Sequence, residues 1–84
     1  MNRKETWGIP FAYILNFFSE QPDVLHIENG SFQFENCRIH IVQLPDSDFG
    51  SLRLPRTSVE FSGDNDDLEH IYHRFFMKFL SAGG

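Results

Sequence analysis

The chain of 84 residues has little positive charge, a single cysteine and no long hydrophobic run. The chain has seven Lys and Arg residues and twelve Asp and Glu residues, and the positive residues are scattered along it. We therefore expect no direct binding to nucleic acid, which needs clustered cations. One cysteine, Cys37, excludes an internal disulfide. No apolar stretch reaches the roughly 20 residues of a membrane span, and none follows the basic start as in a secretion signal. We therefore expect a soluble, cytoplasmic protein that binds no membrane.

The sequence also lacks motifs of known catalytic chemistry. It has no glycine-rich phosphate loop and no Gly-x-Ser-x-Gly elbow. Cys37 and His40 are close in sequence, but strand alternation places them on opposite faces, so we interpret Cys37 as a small buried side chain. We predict no enzymatic activity, no catalytic residue and no bound cofactor.

Two histidines are the best candidate metal ligands. His70 and His73 stand three residues apart on a predicted helix, a spacing that can direct both imidazoles at one ion. A tight site needs a third protein ligand, and Asp66 is the one local candidate. We interpret the pair as a polar helix face and predict no metal site, while the sequence leaves metal binding by His70 and His73 open.

Hydrophobic residues make up 40% of the chain and aromatic residues 15%, including ten Phe. Large rings bury about 150–250 Å² each, so even a short chain of this composition can form a stable core. We expect one domain over residues 1–84, with residues 1–6 flexible and residues 81–84 as a tail.

Apolar periodicity predicts a first helix from Pro10 to about Glu20. Strands over residues 24–28 and 31–35 flank Asn29-Gly30, a dipeptide typical of a type I′ turn. This hairpin pairs Leu25 with Phe34 and Ile27 with Phe32, so that all four side chains face the core. A third strand runs from Cys37 to about Leu44, and residues 45–50 have loop composition.

A bent fourth strand follows, in which Leu52, Leu54, Val59 and Phe61 alternate across Pro55, and then a second helix that ends near Leu80. Asp66 with Glu69 fits a capping box at the start of this helix. The predicted fold is an α+β two-layer sandwich: a four-stranded antiparallel meander with N-terminal and C-terminal helices packed on one face, in the order αββββα. The predicted core comprises Phe11, Ile14, Leu15, Phe18, Leu25, Ile27, Phe32, Phe34, Ile39, Ile41, Val59, Phe61, Leu68, Ile71, Phe75 and Phe79.

Several aromatic residues exceed what one buried helix face requires. Tyr13 and Phe17 form a second stripe on the first helix, Trp7 precedes it, and Phe49 lies in a polar loop. Trp and Tyr are enriched among residues that dominate binding energies. We predict a small non-enzymatic protein-interaction module, acting as a homodimer or as an adaptor or regulatory protein that binds another protein. In the alternative, Trp7 and Phe17 pack on the C-terminal helix or on the long loop and complete the core.

Acidic residues 64–69 allow a further alternative, an acidic inhibitor that occupies the nucleic-acid-binding site of a partner protein. Carboxylates at a helix start are also expected on their own account, because they stabilise the positive end of the helix dipole. The second explanation is sufficient for the observed cluster.

The last three residues, Ala82, Gly83 and Gly84, resemble the Ala-Gly-Gly ending of ubiquitin-like sulfur carriers of molybdopterin and thiamine synthesis. The resemblance implies a terminal glycine that is adenylated and thiocarboxylated, on an extended tail that enters a partner enzyme. Those carriers have β-grasp folds whose tail follows a strand, whereas this tail follows a predicted helix that Gly83 can cap. A sulfur carrier with Gly83 and Gly84 as its C-terminal site is therefore an alternative function.

Overall fold

The computed structural model describes residues 1–83 and contains five strands and two helices. In chain order these are β1 (Asn2–Trp7), α1 (Phe11–Ser19), β2 (Leu25–Glu28), β3 (Ser31–Phe34), β4 (Cys37–Phe49), β5 (Leu52–Gly63) and α2 (Asn65–Gly83). All strand pairs are antiparallel, in the sheet order β1-β5-β4-β3-β2. The predicted α+β class is confirmed, with five strands instead of four. Within residues 1–83, neither helix is long and apolar enough to cross a membrane.

The strand absent from the sequence prediction is β1, at one edge of the sheet. It pairs with β5 from Asn2 opposite Ser62 to Trp7 opposite Thr57, so most of the segment expected to be flexible is ordered in a strand. Polar residues dominate it and give no apolar alternation. Charged side chains are common on edge strands because they discourage pairing with further chains.

Aromatic rings from both layers meet at Phe18 of α1. Its ring centroid lies 5.6 Å from Phe32 of β3, 6.2 Å from Phe61 of β5 and 5.6 Å from Phe75 of α2. Both helices therefore cover the same face of the sheet. Most predicted core residues are buried, and Phe11 and Leu15 pack half-buried against the cluster.

The β2–β3 hairpin differs from the prediction by one residue of register. Leu25 pairs with Gln33 and His26 with Phe32, and a bulge at Ile27 precedes the pairing of Glu28 with Ser31. A one-residue slip reverses the faces of a strand, so Leu25 and Ile27 are exposed, at 70% and 47%, and are not core residues. The His26 ring instead stacks on Phe32 at 4.7 Å.

The turn of this hairpin lies at Asn29-Gly30 as predicted, but its type differs. Only Gly30 of the pair has a positive φ, 82°, whereas a type I′ turn requires two such residues. A Cβ atom at Gly30 would lie 2.6 Å from the Ile41 carbonyl oxygen. Glycine is therefore required here both by φ and by the close approach of β4.

β4 and β5 continue beyond their neighbours as a two-stranded ribbon, defined here as residues 43–56. Pairing with β1 ends at Thr57 and pairing with β3 ends at His40, whereas β4 and β5 pair as far as Phe49 and Leu52. Residues 45–50 are thus mostly strand, not the expected loop. A register shift between Leu44 and Ser47 accommodates Pro45 as a bulge, which explains why loop composition is compatible with a strand here.

α2 is longer than the sequence indicates and continues three residues past Leu80. Gly83 is its last residue and does not follow it as a cap, so residues 81–83 of the expected tail are helical and Gly84 lies outside the described residues. At the other end, Asp64 Oδ2 accepts a hydrogen bond from the Asp67 N–H at 3.1 Å. Asp64, and not Asp66, therefore caps the helix.

Phe75→Ala should lower the free energy of unfolding by about 3–5 kcal/mol, a large part of the roughly 5–15 kcal/mol of a small domain. The Phe75 ring is fully buried and contacts Trp7, Phe17, Phe18, Phe61, Tyr72 and Phe79. Urea unfolding measures the change. Leu25→Ala is the matched control and should change stability by less than about 0.5 kcal/mol, because Leu25 is exposed. Equal effects of the two substitutions would contradict the packing described.

Candidate functional site

The carboxyl end of α2 lies at the end of the molecule from which the ribbon projects. Near the middle of α2, Tyr72 lies beneath Arg3, which pairs with Phe61 of β5. One helical turn later, Phe76 packs on Trp7, which pairs with Thr57. α2 therefore runs back along β5 towards the base of the ribbon.

α1 and α2 are antiparallel, so α1 begins at this same end. Arg74 of α2 donates a hydrogen bond to Gln21, just after α1, and Phe79 packs on Phe17 at 5.6 Å. Tyr13 precedes Phe17 by one turn and thus lies towards the end of α2. Its side chain is exposed.

Phe79 is the last buried side chain among residues 1–80, whose burial the structure describes. It packs on Phe17 and, at 5.3 Å, on Phe75, whereas half of Leu80 is exposed. Five residues, 80–84, follow Phe79. Fully extended, five residues reach at most about 18 Å from Phe79.

The four predicted interaction residues divide into two pairs. Phe17 is buried among Phe18, Phe75 and Phe79, and Trp7 is half-buried against α2. These two residues complete the core, as the alternative interpretation stated, and Phe17 cannot form a binding surface. Tyr13 and Phe49 are exposed.

Tyr72 holds β1 against α2 through a polar cluster. Its hydroxyl lies 3.0 and 2.9 Å from the two Glu5 carboxylate oxygens, and Trp7 Nε1 donates to Glu5 Oε1 at 3.0 Å. The Arg3 guanidinium lies 4.2 Å above the Tyr72 ring. Burial and the hydrogen bond to Glu5 raise the pKa of Tyr72. The cluster was missed in the sequence because Arg3 and Glu5, which face inward on β1, are charged.

Cys37 is fully buried on the helix-covered face of β4, as the sequence interpretation placed it. Burial raises the pKa of its thiol. Since the thiolate is the reactive form of cysteine, this environment disfavours nucleophilic chemistry.

The histidines lie in separate environments. His70 Nε2 is 3.3 Å from Arg74 Nη2, and His40 Nδ1 is 3.0 Å from Ser31 Oγ. Arg74 also forms a two-point ion pair with Asp23, at 2.8 and 3.1 Å, which lowers the pKa of that carboxyl. Within residues 1–83, no three His, Cys, Asp or Glu side chains are placed to hold a metal ion.

The acidic residues at the start of α2 have structural partners. Asp64 caps the helix, and Asp67 Oδ2 accepts a hydrogen bond at 3.1 Å from the Asn36 N–H in the β3–β4 turn. These contacts connect α2 to the sheet. These contacts explain the presence of Asp64 and Asp67 in the acidic cluster without an imitation of nucleic acid.

One face of the ribbon is apolar and exposed. Phe49 pairs with Leu52 and Ser47 pairs with Leu54, so these four side chains share a face. Phe49, Leu52 and Leu54 are 63%, 62% and 46% exposed and are called the apolar strip below. Asp48 and Arg53 occupy the opposite face and form an exposed ion pair at 3.5 Å. Sequence reasoning found Phe49 alone, although apolar residues on both sides of Gly50-Ser51 are a hairpin signal.

Comparison with known families provides the remaining observation. The sequence profile of a family described as archaeal MoaD-like protein matches residues 2–84. The chain belongs to this family. The archaeal MoaD-like match takes in every strand and helix and reaches Gly83 and Gly84. No curated protein matches the chain.

Tyr72→Phe should lower the free energy of unfolding at pH 7 by about 0.5–1.5 kcal/mol, because Glu5 loses one donor. The pKa of Tyr72 is higher in the folded than in the unfolded protein. The contribution of its hydroxyl to the free energy of unfolding is therefore fully present below about pH 10, the unfolded pKa, and is lost as the pH rises through the folded pKa. Chemical unfolding at pH 7–11 should show a smaller alkaline loss in Tyr72→Phe. Tyr13→Phe is the control, and an alkaline loss unchanged by Tyr72→Phe would contradict the role of this hydroxyl.

Cys37 should react slowly with a thiol reagent at pH 8 while the protein is folded. Its buried thiol has a raised pKa, so the thiolate forms mainly when the structure opens. Reaction in denaturant should be fast and stoichiometric. The time course of thiolate release measures both rates, and immediate reaction of the folded protein would show that Cys37 is accessible.

Proposed function

We propose that the chain is a sulfur carrier whose Gly84 carboxylate is converted to a thiocarboxylate. The observation that carries the proposal is membership of the archaeal MoaD-like family, in a match that extends to the final glycine. Together with the Ala82-Gly83-Gly84 sequence, it favours this function over an interaction module without chemistry of its own. The proposal requires that the mature protein end at Gly84.

In the proposed reaction, an activating enzyme joins the Gly84 carboxylate to the AMP portion of ATP and releases pyrophosphate. A donor at the oxidation level of hydrosulfide then attacks the acyl carbon, AMP leaves, and the carboxyl end retains the sulfur. Among the described residues, Cys37 is buried, His40 contacts Ser31 and His70 contacts Arg74, so we assign the chemistry to the activating enzyme. The role of this fold is to present the carboxyl end to the enzyme.

The last turn of α2 can unwind into an extended segment without disturbing the packing of the described core. Gly83 lies in this turn, and glycine is about 1 kcal/mol less favourable in a helix than alanine. The final carbonyl groups of a helix also lack intrahelical partners. Because Phe79 is the last buried residue of the described core, an extended segment after it leaves the aromatic contacts of that core intact. Because the proposed reaction consumes ATP, we also propose that the protein acts in the cytoplasm, where ATP is available.

The intact mass of the protein purified from its source cells tests this function. Replacing a carboxyl oxygen by sulfur adds about 16 Da, and the increment should map to Gly84. A variant that ends at Ala82 should lack the increment and unfold at nearly the same temperature, because the deletion removes no side chain of the described core. Ser81→Ala is the control of unchanged length. Wild-type protein without the increment, from cells that contain the activating enzyme, would refute the proposal.

A non-enzymatic protein-interaction module, as a homodimer or adaptor, is the second candidate. The exposed apolar strip favours it, since contiguous exposed apolar side chains are typical of contact surfaces. The two functions differ in their dependence on the carboxyl end. An adaptor retains its function after truncation at Ala82, whereas a carrier loses it.

A further inference from the structure

We infer that the sheet face turned away from the helices, together with the apolar strip at its end, is the interface of a symmetric homodimer of this chain. Such a dimer is independent of the carrier function, because it requires no modification of Gly84. It corresponds to the homodimer form of the second candidate function and gives that form a surface and a symmetry.

The face of the sheet opposite the helices is called the open face below. Within residues 1–83, both helices lie on the other face and no element covers this one. Val59 is buried beneath the helices, so alternation along β5 places Leu54 and Leu52 on the open face. Val42 and Leu44 of β4 lie on the same face. Apolar side chains therefore continue from the strip onto the sheet itself.

The residue pairs of β4 and β5 make the open face complementary to itself. We consider a two-fold axis between two copies, parallel to β4 and β5 and centred on them. This axis places each residue opposite its own cross-strand partner in the second copy. The pairs are Arg38 with Ser62, His40 with Glu60, Val42 with Ser58, Leu44 with Arg56, Ser47 with Leu54, and Phe49 with Leu52. None of them joins two charges of the same sign.

The apolar strip contacts itself in this arrangement. Phe49 of each copy lies over the partner's Leu52, and symmetry makes this contact occur twice. A two-fold axis perpendicular to the strands, over the middle of the sheet, would instead place the strip over polar residues at the far end, such as Arg38 and Ser62. Apolar contact therefore selects the arrangement in which the two ribbons run parallel.

The polar part of the open face also fits a second copy. His40 Nδ1 lies 3.0 Å from Ser31 Oγ, which leaves Nε2 for the second copy, and Glu60 Oε2 accepts a hydrogen bond from Asn2 at 3.2 Å, which leaves Oε1. The two-fold axis brings each His40 imidazole to the partner's Glu60 carboxylate. Lys4, next to Glu60 on β1, faces the partner's Ser31. Charge complementarity thus supports a second copy as the occupant.

The helix layers remain free in this dimer. Packed sheets lie about 10 Å apart, so the two open faces form the centre and the helices of each copy lie on the outside. The carboxyl end of α2 stays accessible to an enzyme, and the dimer is compatible with the carrier function. β2 extends beyond the partner's sheet, because the sheet has two strands on one side of β4 and one strand on the far side of β5.

Sedimentation velocity of the full-length, unmodified protein tests the interface. Wild type should form a dimer, and Phe49→Ser/Leu52→Ser should raise the Kd of the dimer at least about 100-fold, because each lost contact occurs twice. Leu25→Ser is the matched control and should stay within about twofold of wild type, since Leu25 is an exposed leucine on the overhanging strand β2. Thermal unfolding checks that the variants fold, and Leu54→Ser provides an independent substitution.

Cross-linking measures the relative direction of the two copies. Ser51 is exposed in the turn of the ribbon, and parallel ribbons bring the two turns together. A bismaleimide that spans about 10 Å, the spacing of packed sheets, should link two Ser51→Cys chains. Ser19→Cys, exposed at the end of α1, is the control and should stay unlinked. Cys37 is buried and common to all variants.

Two results would overturn the inference: a wild-type protein that stays monomeric at millimolar concentration, and a dimer that the strip substitutions leave intact. A dimer linked through Ser19→Cys and not through Ser51→Cys would also overturn it, because contact would then be made by the helices. All these measurements use unmodified protein, so a negative result leaves the carrier function standing. Absence of the 16 Da increment from protein of the source cells would in turn leave the dimer standing.

Discussion

The packing of Phe18 between the sheet and α2 is the contact on which the other elements depend. Phe18 contacts Phe32 and Phe61 on the sheet and stacks on Phe75 with an interplanar angle of 16°. Because one ring contacts both layers, the positions of α1 and α2 are fixed relative to each other as well as to the strands. This arrangement fixes the direction of α2 relative to the sheet through a small set of aromatic contacts.

Polar contacts complete this arrangement where the apolar core stops. Arg3, Glu5 and Tyr72 hold the edge strand β1 to α2, while Asp23 and Arg74 connect α2 to the segment before β2. Partial burial strengthens such contacts relative to those of fully exposed ion pairs such as Asp48 with Arg53. Charged and aromatic side chains therefore act together at the edges of the fold, while apolar packing dominates the centre.

The elements predicted well from the sequence are those with strong apolar periodicity. The helices and the β3–β4 pairing follow from it, and most of the predicted core is buried. β1 was missed because Arg3 and Glu5 contact Tyr72 instead of the apolar core. The segment therefore lacks the alternation of apolar and polar residues that predicts a strand. The faces of Leu25 and Ile27 were reversed by a single bulge, which leaves no clear signal in the sequence. The ribbon was hidden by Pro45 and Pro55, and the apolar strip is recognisable only after Phe49 has been paired with Leu52.

The burial of Phe79 limits how far α2 can unwind from its carboxyl end without loss of core contacts. Unwinding of the residues after Phe79 removes no side chain from the described core. Unwinding through Phe79 would withdraw its ring from Phe17 and Phe75, and exposing a buried Phe costs about 1.5–3 kcal/mol or more. One turn further, the cost of exposing Phe75 would be added. The aromatic core therefore sets the length of α2 that can unfold while the rest of the domain stays folded.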